Sequence, residues 1–253
     1  QRIAKSTQAT RDFNKFLNLS TETDESHGTL RPPITGDVQF HDVSFSYPKR
    51  PEAPVVQHAL LRIANGECVA IVGASGFGKS TVAALLQRLY GTITIGNSLL
   101  GATDVKHLRH NIAVVSQNPT IFDATIAENI SYESKSMSME DTHRAARAAH
   151  VHDFIVSLPK GYDTMVGENA SLISDEQPQR LSIAHALARL LRIRILNECT
   201  SALDPGNQAA TVETIRSAKV GCTTLVVTHK LQIVQMCDRI LVMHDGYTLS
   251  LGT

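Results

Sequence analysis

Residues 73–80 have the sequence Gly-Ala-Ser-Gly-Phe-Gly-Lys-Ser, and this order of residue types could bind a triphosphate. Glycines in such a loop let the backbone turn tightly and point several N–H groups at an anion. Lys79 could reach the terminal phosphates, and the Ser80 hydroxyl could coordinate Mg²⁺. The glycines that would allow the turn are Gly73, Gly76 and Gly78.

The flanking sequence predicts the two elements that would hold this loop. Residues 68–72 form a short apolar run typical of a buried strand, and residues 80–89 carry apolar side chains at helical spacing. A bound phosphate would then lie at a helix N-terminus, where backbone N–H groups favour an anion. The alternative is a glycine-rich turn that binds nothing, and the strand and helix on either side argue against it.

Composition limits the class of protein. The chain has 253 residues, of which 42% are hydrophobic and 19% charged, so it can form one large domain or one domain with subdomains. A net charge of 0 argues against nucleic acid as the main partner. The four cysteines lack metal-like spacing, which favours buried thiols in a reducing compartment. Without a visible signal peptide or apolar span, and without an initial Met, we expect a cytosol-facing fragment.

Hydrophobic periodicity predicts alternating strands and helices. A weak amphipathic helix is expected over residues 1–20, followed by a polar linker over 20–36 that contains Pro and Gly. Residues 124–190 are mostly helical in pattern and rich in Ala. Strands are predicted at 38–45, 59–64, 68–72, 92–95, 111–115, 193–196, 223–227 and 239–243. This alternation predicts a parallel sheet covered by helices.

Further segments follow the glycine-rich loop in an order that resembles the nucleotide-binding domain of ATP-binding-cassette (ABC) transporters, over about residues 37–253. The tract 114–130 is similar to the exporter type, as in multidrug and peptide-pheromone exporters of fungi. The resemblance implies an α/β fold of the P-loop NTPase (RecA-like) type. It has a parallel-sheet core, an antiparallel β subdomain and a helical subdomain inserted at about 118–190. Residues 1–36 would then be a linker after a transmembrane helix.

The same resemblance implies roles for individual residues. Tyr47 would stack on adenine, and Gln117 would touch Mg²⁺ and the attacking water in a loop that faces the membrane domain. Glu198 would be the general base, and His229 would contact the γ-phosphate. The segment 201–204 would cross to a second copy of the domain, although it could also be a plain helix N-terminus.

Taken together, the resemblance implies three sets of site residues. The nucleotide-binding set is Tyr47, Gly73, Ser75, Gly76, Gly78, Lys79, Ser80, Thr81, Ser174, Gln177 and Asp204. The catalytic set is Lys79, Gln117, Glu198 and His229, and the metal ligands are Ser80, Gln117 and Asn197. The implied partners are ATP, Mg²⁺, a second nucleotide-binding domain arranged head to tail, and a transmembrane domain of the same transporter. The expected location is the cytosolic face of a membrane.

The signature segment departs from the family pattern. Residues 173–177 are Ile-Ser-Asp-Glu-Gln, whereas the family has Leu-Ser-Gly-Gly-Gln. In a nucleotide-sandwich dimer this segment caps the ATP that the partner holds. Asp175 and Glu176 would each place a negative charge near that triphosphate, at a cost of about 3 kcal/mol at 5 Å and an effective dielectric constant near 20. The helix itself should survive, because Ser174 and Gln177 form a capping-box pattern.

Other departures bear on hydrolysis. Asn197 replaces an aspartate, which should weaken Mg²⁺ binding. Arg194 lies in a strand expected to be buried on both faces, so it must extend to solvent or find an acid. His185 replaces a usual arginine, and the turn at 90–92 is short. Three hypotheses follow: an exporter ATPase domain with impaired hydrolysis, an ATP-binding regulatory or relic domain, or a soluble ABC ATPase of DNA repair or translation.

Overall fold

The computed structural model describes residues 28–87, 93–132, 134, 137–167, 173, 176–189, 191–200, 203, 205–218 and 221–251. Its strands are β1 (Val38–Ser46), β2 (Pro54–Ile63), β3 (Cys68–Val72), β4 (Ile93–Ile95), β5 (Ser98–Leu99), β6 (Ile112–Val115), β7 (Ile193–Asn197), β8 (Thr223–Val227), β9 (Arg239–His244) and β10 (Tyr247–Leu251). Its α-helices are α1 (Lys79–Leu86), α2 (Val105–Asn111), α3 (Ile126–Ser131), α4 (Met139–Ala148), α5 (His152–Ser157), α6 (Glu176–Ala188), α7 (Pro205–Ala218) and α8 (Leu231–Val234). Two single 3₁₀ turns cover Leu100–Ala102 and Gly161–Asp163.

The larger sheet has six strands in the order β10-β9-β3-β8-β7-β6. Every pair in it is parallel except β9 with β10, which is antiparallel. All five residues of β8 are buried, as expected of a strand covered on both faces. The predicted parallel sheet is therefore confirmed. The antiparallel edge strand β10 was not predicted.

The smaller sheet is antiparallel, with the order β2-β1-β4-β5. In β1, the buried residues Val38, Phe40, Val43 and Phe45 face the core, and a register shift between Phe40 and Val43 breaks strict alternation. This sheet is the predicted antiparallel β subdomain. It packs with α1 against one face of the larger sheet, and together they enclose one hydrophobic core.

A second core lies between the larger sheet and the inserted helices α3 to α6. Capping boxes begin two of these helices, since Thr125 pairs with Glu128 before α3 and Ser138 pairs with Asp141 before α4. The predicted helical tract is therefore a set of short helices between β6 and β7. One predicted strand boundary was wrong, because Asn111 is the last residue of α2.

The chain before β1 contacts the domain. Leu30 forms a bridge with Thr103, and the Ile34 side chain is 4% exposed within the first core. The helix expected over residues 1–20, the linker before Gly28 and the turn at 90–92 lie outside the described residues. Within the described part of the chain, no helix has the length and apolar character needed to cross a membrane.

Arg194 remains inside the sheet. It is 6% exposed, so of the two predicted alternatives, extension to solvent or contact with an acid, the first is excluded. Burial lowers the pKa of its guanidinium, and the neighbouring thiols of Cys222 and Cys68 oppose that change. The cysteine prediction is confirmed for Cys68, Cys199 and Cys222, which are buried thiols, whereas Cys237 is partly exposed.

Candidate functional site

A polar cavity of about 510 Å³ lies where the carboxyl ends of β3, β6 and β7 meet. Ligands of open α/β sheets bind outside this edge, because the loops after parallel strands converge there. The cavity is lined by Tyr47, Val55, Ser75, Gly76, Gly78, Lys79, Ser80, Thr81, Gln117 and Glu198. Every one of these except Val55 was a predicted site residue. The structure thus brings together segments that lie more than 100 residues apart in sequence.

The loop between β3 and α1 requires glycine at defined positions. Gly73, Gly76 and Gly78 have φ values of 150°, 85° and 90°. A Cβ atom at Gly73 would lie 2.4 Å from the Met243 carbonyl oxygen, and one at Gly78 would lie 2.6 Å from the Val55 carbonyl oxygen. No side chain fits at those two positions. The loop is therefore pressed against β9 and β2, with its open side toward the cavity.

Lys79 is the first residue of α1 and is 9% exposed. Its Nζ donates hydrogen bonds to the carbonyl oxygens of Gly73 at 3.0 Å and Ala74 at 2.8 Å. These bonds close the loop around its own lysine. The ammonium group is held at the cavity wall, where it would exchange carbonyl partners for phosphate oxygens.

Ser80 and Asn197 form the contact between the loop and β7. The Ser80 hydroxyl donates to Asn197 Oδ1 at 3.2 Å. Gln117 and Glu198 line the same cavity and add amide and carboxylate oxygens. A set of hydroxyl, amide and carboxylate oxygens fits a hard cation such as Mg²⁺, although the set has one carboxylate fewer than the family pattern. Within the described residues, no group of three or more His, Cys, Asp or Glu side chains could hold a metal by itself.

Tyr47 stands at the cavity rim with 43% of its surface exposed. Its hydroxyl and that of Thr81 form a 3.1 Å hydrogen bond, and its ring meets Phe45 edge to face at 5.0 Å between centroids. These contacts hold the ring without covering it. The exposed surface leaves room for a planar group, as the predicted adenine-stacking role requires.

Glu198 follows β7 in a left-handed conformation with φ of 50°. Its N–H donates to the Val227 carbonyl at 2.9 Å, which ties this turn to β8. His229 Nδ1 lies 3.8 Å from Glu198 Oε1, so an ion pair forms when the imidazole is protonated. The His229 side chain is 64% exposed. The two side chains therefore lie beside one another, and Glu198 lines the cavity.

Sequence reasoning missed Val55 and Lys230. The Val55 backbone defines how closely the loop approaches β2, which no sequence pattern reveals. Lys230 follows His229 directly, and its Nζ donates to the Thr200 carbonyl at 2.8 Å. Burial lowers the pKa of Lys230, and the nearby Cys199 and Glu198 oppose this change. Its position next to His229, a predicted catalytic residue, was the feature of the sequence that could have identified Lys230.

The residues predicted to face a partner domain are only partly described. Ser174, Asp175, Ser201, Ala202 and Asp204 lie outside the described residues. Glu176 begins α6, and its carboxylate accepts from Arg180 at 3.3 Å. The side-chain oxygen of Gln177 is buried and has no hydrogen-bond partner among the described residues. The Arg180 guanidinium lies against the Glu176 carboxylate and offsets part of its negative charge.

A second cavity of about 340 Å³ opens beside the Gln117 loop, between β6 and α6. Phe122 and Tyr132 stack there with 4.2 Å between centroids, and both are more than 40% exposed. His185 lies under Tyr132 at 6.3 Å, and its Nδ1 is 3.2 Å from the Ile130 carbonyl oxygen. Replacement of the usual arginine by His185 therefore affects this aromatic groove rather than the nucleotide cavity.

Comparison with known proteins gives a consistent result. The family model described as ABC transporter matches residues 56–201. The protein "ATP-binding cassette sub-family B member 5" of Mus musculus is 43% identical over 224 residues, which are 87% of this chain and 18% of that protein. "Multidrug resistance protein homolog 65" of Drosophila melanogaster is 43% identical over 247 residues, which are 94% of this chain and 19% of that protein.

A solved structure shares the fold as well. "Structure of a bacterial Atm1-family ABC exporter with ATP bound" superposes with a TM-score of 0.85 at 32% identity, and it covers 95% of this chain and 43% of that one. The chain spans about a fifth of the length of the curated relatives it matches.

Proposed function

The chain belongs to the ABC transporter family as the ATP-binding domain of an exporter-type transporter, and from this premise we propose that it binds Mg-ATP in the 510 Å³ cavity. The observation that carries the proposal is the convergence of the glycine-rich loop, an exposed aromatic ring and the Gln117 and Glu198 side chains on one cavity. Tyr47 would stack on the base. The N–H groups of the loop and of the first turn of α1 would surround the phosphates.

The magnesium ion would be held by Ser80, Gln117 and Asn197. A magnesium ion held by these residues would supply positive charge that offsets the charge of the triphosphate. The hydrogen bond from Ser80 to Asn197 supports this assignment, since it places two candidate ligands on one side of the cavity. Asn197 brings an oxygen without charge, so we expect affinity for Mg²⁺ below that of an aspartate site.

Hydrolysis would use Glu198 as the base that accepts a proton from water, with His229 and Lys79 stabilising the negative charge that develops on the γ-phosphate. The 3.8 Å distance between His229 and Glu198 supports their joint action at the cavity mouth. Because Asn197 weakens the metal site and acids occupy the signature segment, we expect binding with slow turnover. An ATP-binding regulatory domain is the second candidate, and Asn197 beside Ser80 is the observation that favours it.

In the whole transporter, the domain would pair head to tail with a second nucleotide-binding domain. Ser174, Gln177 and Asp204 would then face the partner's nucleotide. The aromatic groove of Phe122 and Tyr132 would face the transmembrane domain, because it adjoins the Gln117 loop and presents exposed rings. The resemblance to exporters favours this arrangement over a soluble ABC ATPase.

Titration with a fluorescent ATP analogue in the presence of Mg²⁺ tests the binding proposal. Lys79→Met should abolish saturable binding, whereas Lys106→Met, which changes an exposed lysine on α2, should leave the dissociation constant unchanged. Equal affinities for both variants would refute the proposed cavity. Phosphate release that disappears in Glu198→Gln while nucleotide binding persists would identify the base, and release that persists in that variant would exclude it.

A further inference from the structure

Two cysteine sulfur atoms lie close together at the amino-terminal ends of strands in the larger sheet, opposite the carboxyl ends that border the nucleotide cavity. Cys68 is the first residue of β3, and Cys237 lies two residues before β9. Their Sγ atoms are 3.5 Å apart. We propose that Cys68 and Cys237 form a reversible intramolecular disulfide when a small hydroperoxide oxidises the chain. This inference does not depend on the proposed nucleotide site.

The backbone around both residues is held in place. Strands β3 and β9 are parallel, with Val69 opposite Arg239. The Cys68 N–H donates to Asp238 Oδ2 at 2.9 Å, and the Asp238 N–H donates to the Cys68 carbonyl at 2.7 Å. A disulfide has an S–S distance of about 2.05 Å, so the sulfur atoms need to approach by about 1.5 Å, which side-chain rotation can supply. The two strands can remain paired.

Exposure and charge divide the two thiols by role. Cys237 is partly exposed, so a small oxidant can reach it, whereas Cys68 is 0% exposed and can react only with a neighbour. The buried guanidinium of Arg194 interacts with the thiols of Cys68 and Cys222. The charged group thus lies beside the buried member of the pair, and exposure assigns Cys237 as the thiol that meets the oxidant and Cys68 as the thiol that resolves it.

The remaining cysteines are poorer candidates. Burial raises the pKa of the Cys199 thiol to about 12, which suppresses its thiolate. Burial also raises the pKa of Cys222, although Arg194 opposes the change. Both are buried, at 2% and 4% exposure. They provide matched controls, because each can be changed without removing a member of the pair.

The chemistry balances with one peroxide consumed for each disulfide. The Cys237 thiol releases its proton to solvent, and the thiolate attacks the terminal oxygen of the hydroperoxide. The O–O bond breaks, Cys237 becomes a sulfenic acid, and the alkoxide or hydroxide that leaves takes up a proton from solvent to give an alcohol or water. The Cys68 sulfur then attacks the Cys237 sulfur. The S–O bond breaks, the S–S bond forms, and water leaves with the Cys68 proton. Each thiol sulfur loses one electron, and the peroxide accepts both.

The bond would join residues that are 169 positions apart. Closing so long a loop restricts the unfolded chain strongly, and we expect the melting temperature to rise by as much as about 10 °C. The bond would also fix the end of the segment 229–237, which begins with the predicted catalytic residue His229. The disulfide would therefore join the start of β3, which precedes the glycine-rich loop, to the end of segment 229–237.

Peptide mapping after hydrogen peroxide treatment tests the proposal. The whole chain should lose two hydrogen atoms by intact mass, form a Cys68–Cys237 linked peptide, and recover its mass with dithiothreitol. Cys222→Ser and Cys199→Ser should behave like the unchanged chain, whereas Cys237→Ser and Cys237→Ala should form no linkage and show no rise in melting temperature. A linkage through Cys222, an intermolecular dimer, or oxidation of Cys237 without linkage would each overturn the proposal.

Discussion

Substitution of Gly78 by alanine should destabilise the domain much more than the same change at Gly76. The two glycines belong to one loop and have nearly equal φ values, 90° and 85°. They differ in what a Cβ atom would meet. At Gly76 nothing lies within 4 Å, whereas at Gly78 the Val55 carbonyl oxygen lies at 2.6 Å and Met243 Cε at 3.3 Å. The pair therefore separates backbone strain from a steric clash.

The magnitude follows from these distances. A left-handed conformation costs an alanine about 1–2 kcal/mol, and both variants bear that cost. At Gly78 the Cβ would be about 0.8 Å short of the 3.4 Å at which ordinary contact begins. The Val55 carbonyl also lies close to Gly246, where an added Cβ would be 2.8 Å from its oxygen, so the backbone is closely packed at this point. Overpacking of this kind costs about 1–3 kcal/mol, which is the expected difference between the variants.

Thermal unfolding followed by circular dichroism, without nucleotide, measures the difference. For a chain of this length, 1 kcal/mol corresponds to about 2–4 °C, so Gly78→Ala should melt about 2–12 °C below Gly76→Ala. Gly101→Ala serves as the baseline, since Gly101 has neither a left-handed φ nor an atom within 4 Å of the added Cβ. Equal melting temperatures for Gly76→Ala and Gly78→Ala would refute the claim that β2 limits the loop.

Three further predictions concern the site and the sheet. Tyr47→Ala should weaken ATP binding by about 1–3 kcal/mol, or roughly 5- to 150-fold, because stacking on the ring is lost. Tyr47→Phe should retain most of the affinity, and equal losses for the two variants in a nucleotide titration would exclude stacking. Asn197→Asp should lower the Mg²⁺ concentration that gives half-maximal phosphate release and raise the rate, and an unchanged Mg²⁺ dependence would remove the residue from the metal site. Burial raises the pKa of Glu67, but the hydrogen bonds from Arg239 and from the Ala64 N–H lower it more, so the net shift is downward from 4.5. Glu67→Gln should therefore melt below the unchanged chain at neutral pH, with the gap closing as the pH falls below 4.5, and a gap independent of pH would contradict this assignment.

Local patterns predicted the parts of the fold whose causes are local. The apolar run before the glycine-rich loop became β3, because its four consecutive buried residues, followed by the partly buried Val72, suit a strand covered on both faces. The loop and α1 followed from glycine spacing and helical periodicity. The antiparallel strand β10 was missed because its apolar residues Tyr247 and Leu249 are exposed at the edge of the sheet, where burial imposes no hydrophobic pattern.

Long-range contacts could not be predicted in the same way. The approach of Gly78 to Val55 depends on how β2 lies against the loop, and the contact between Cys68 and Cys237 depends on the parallel pairing of β3 with β9. Each of these two contacts joins two segments of the chain, and the sequence of one segment does not predict that it contacts the other. The sequence left two alternatives open for Arg194 for a related reason, since the cost of burying a cation does not reveal that the thiols of Cys222 and Cys68 interact with it.

We expect the departures from the family pattern to affect turnover more than binding. The groups that would hold the adenine and the phosphates line one cavity. They are Tyr47, Lys79 and other residues of the 73–80 loop. Tyr47 and Lys79 are held in place by hydrogen bonds to Thr81 and to the Ala74 carbonyl. The changed residue Asn197 instead lies where the metal would be held, and its amide accepts the Ser80 hydroxyl as a neutral group. Loss of one negative charge weakens the hold on a divalent cation but leaves the anion-binding loop untouched. Nucleotide affinity measured without Mg²⁺ should therefore not rise in Asn197→Asp, because the added carboxylate repels the triphosphate, and a gain should appear only when Mg²⁺ is added.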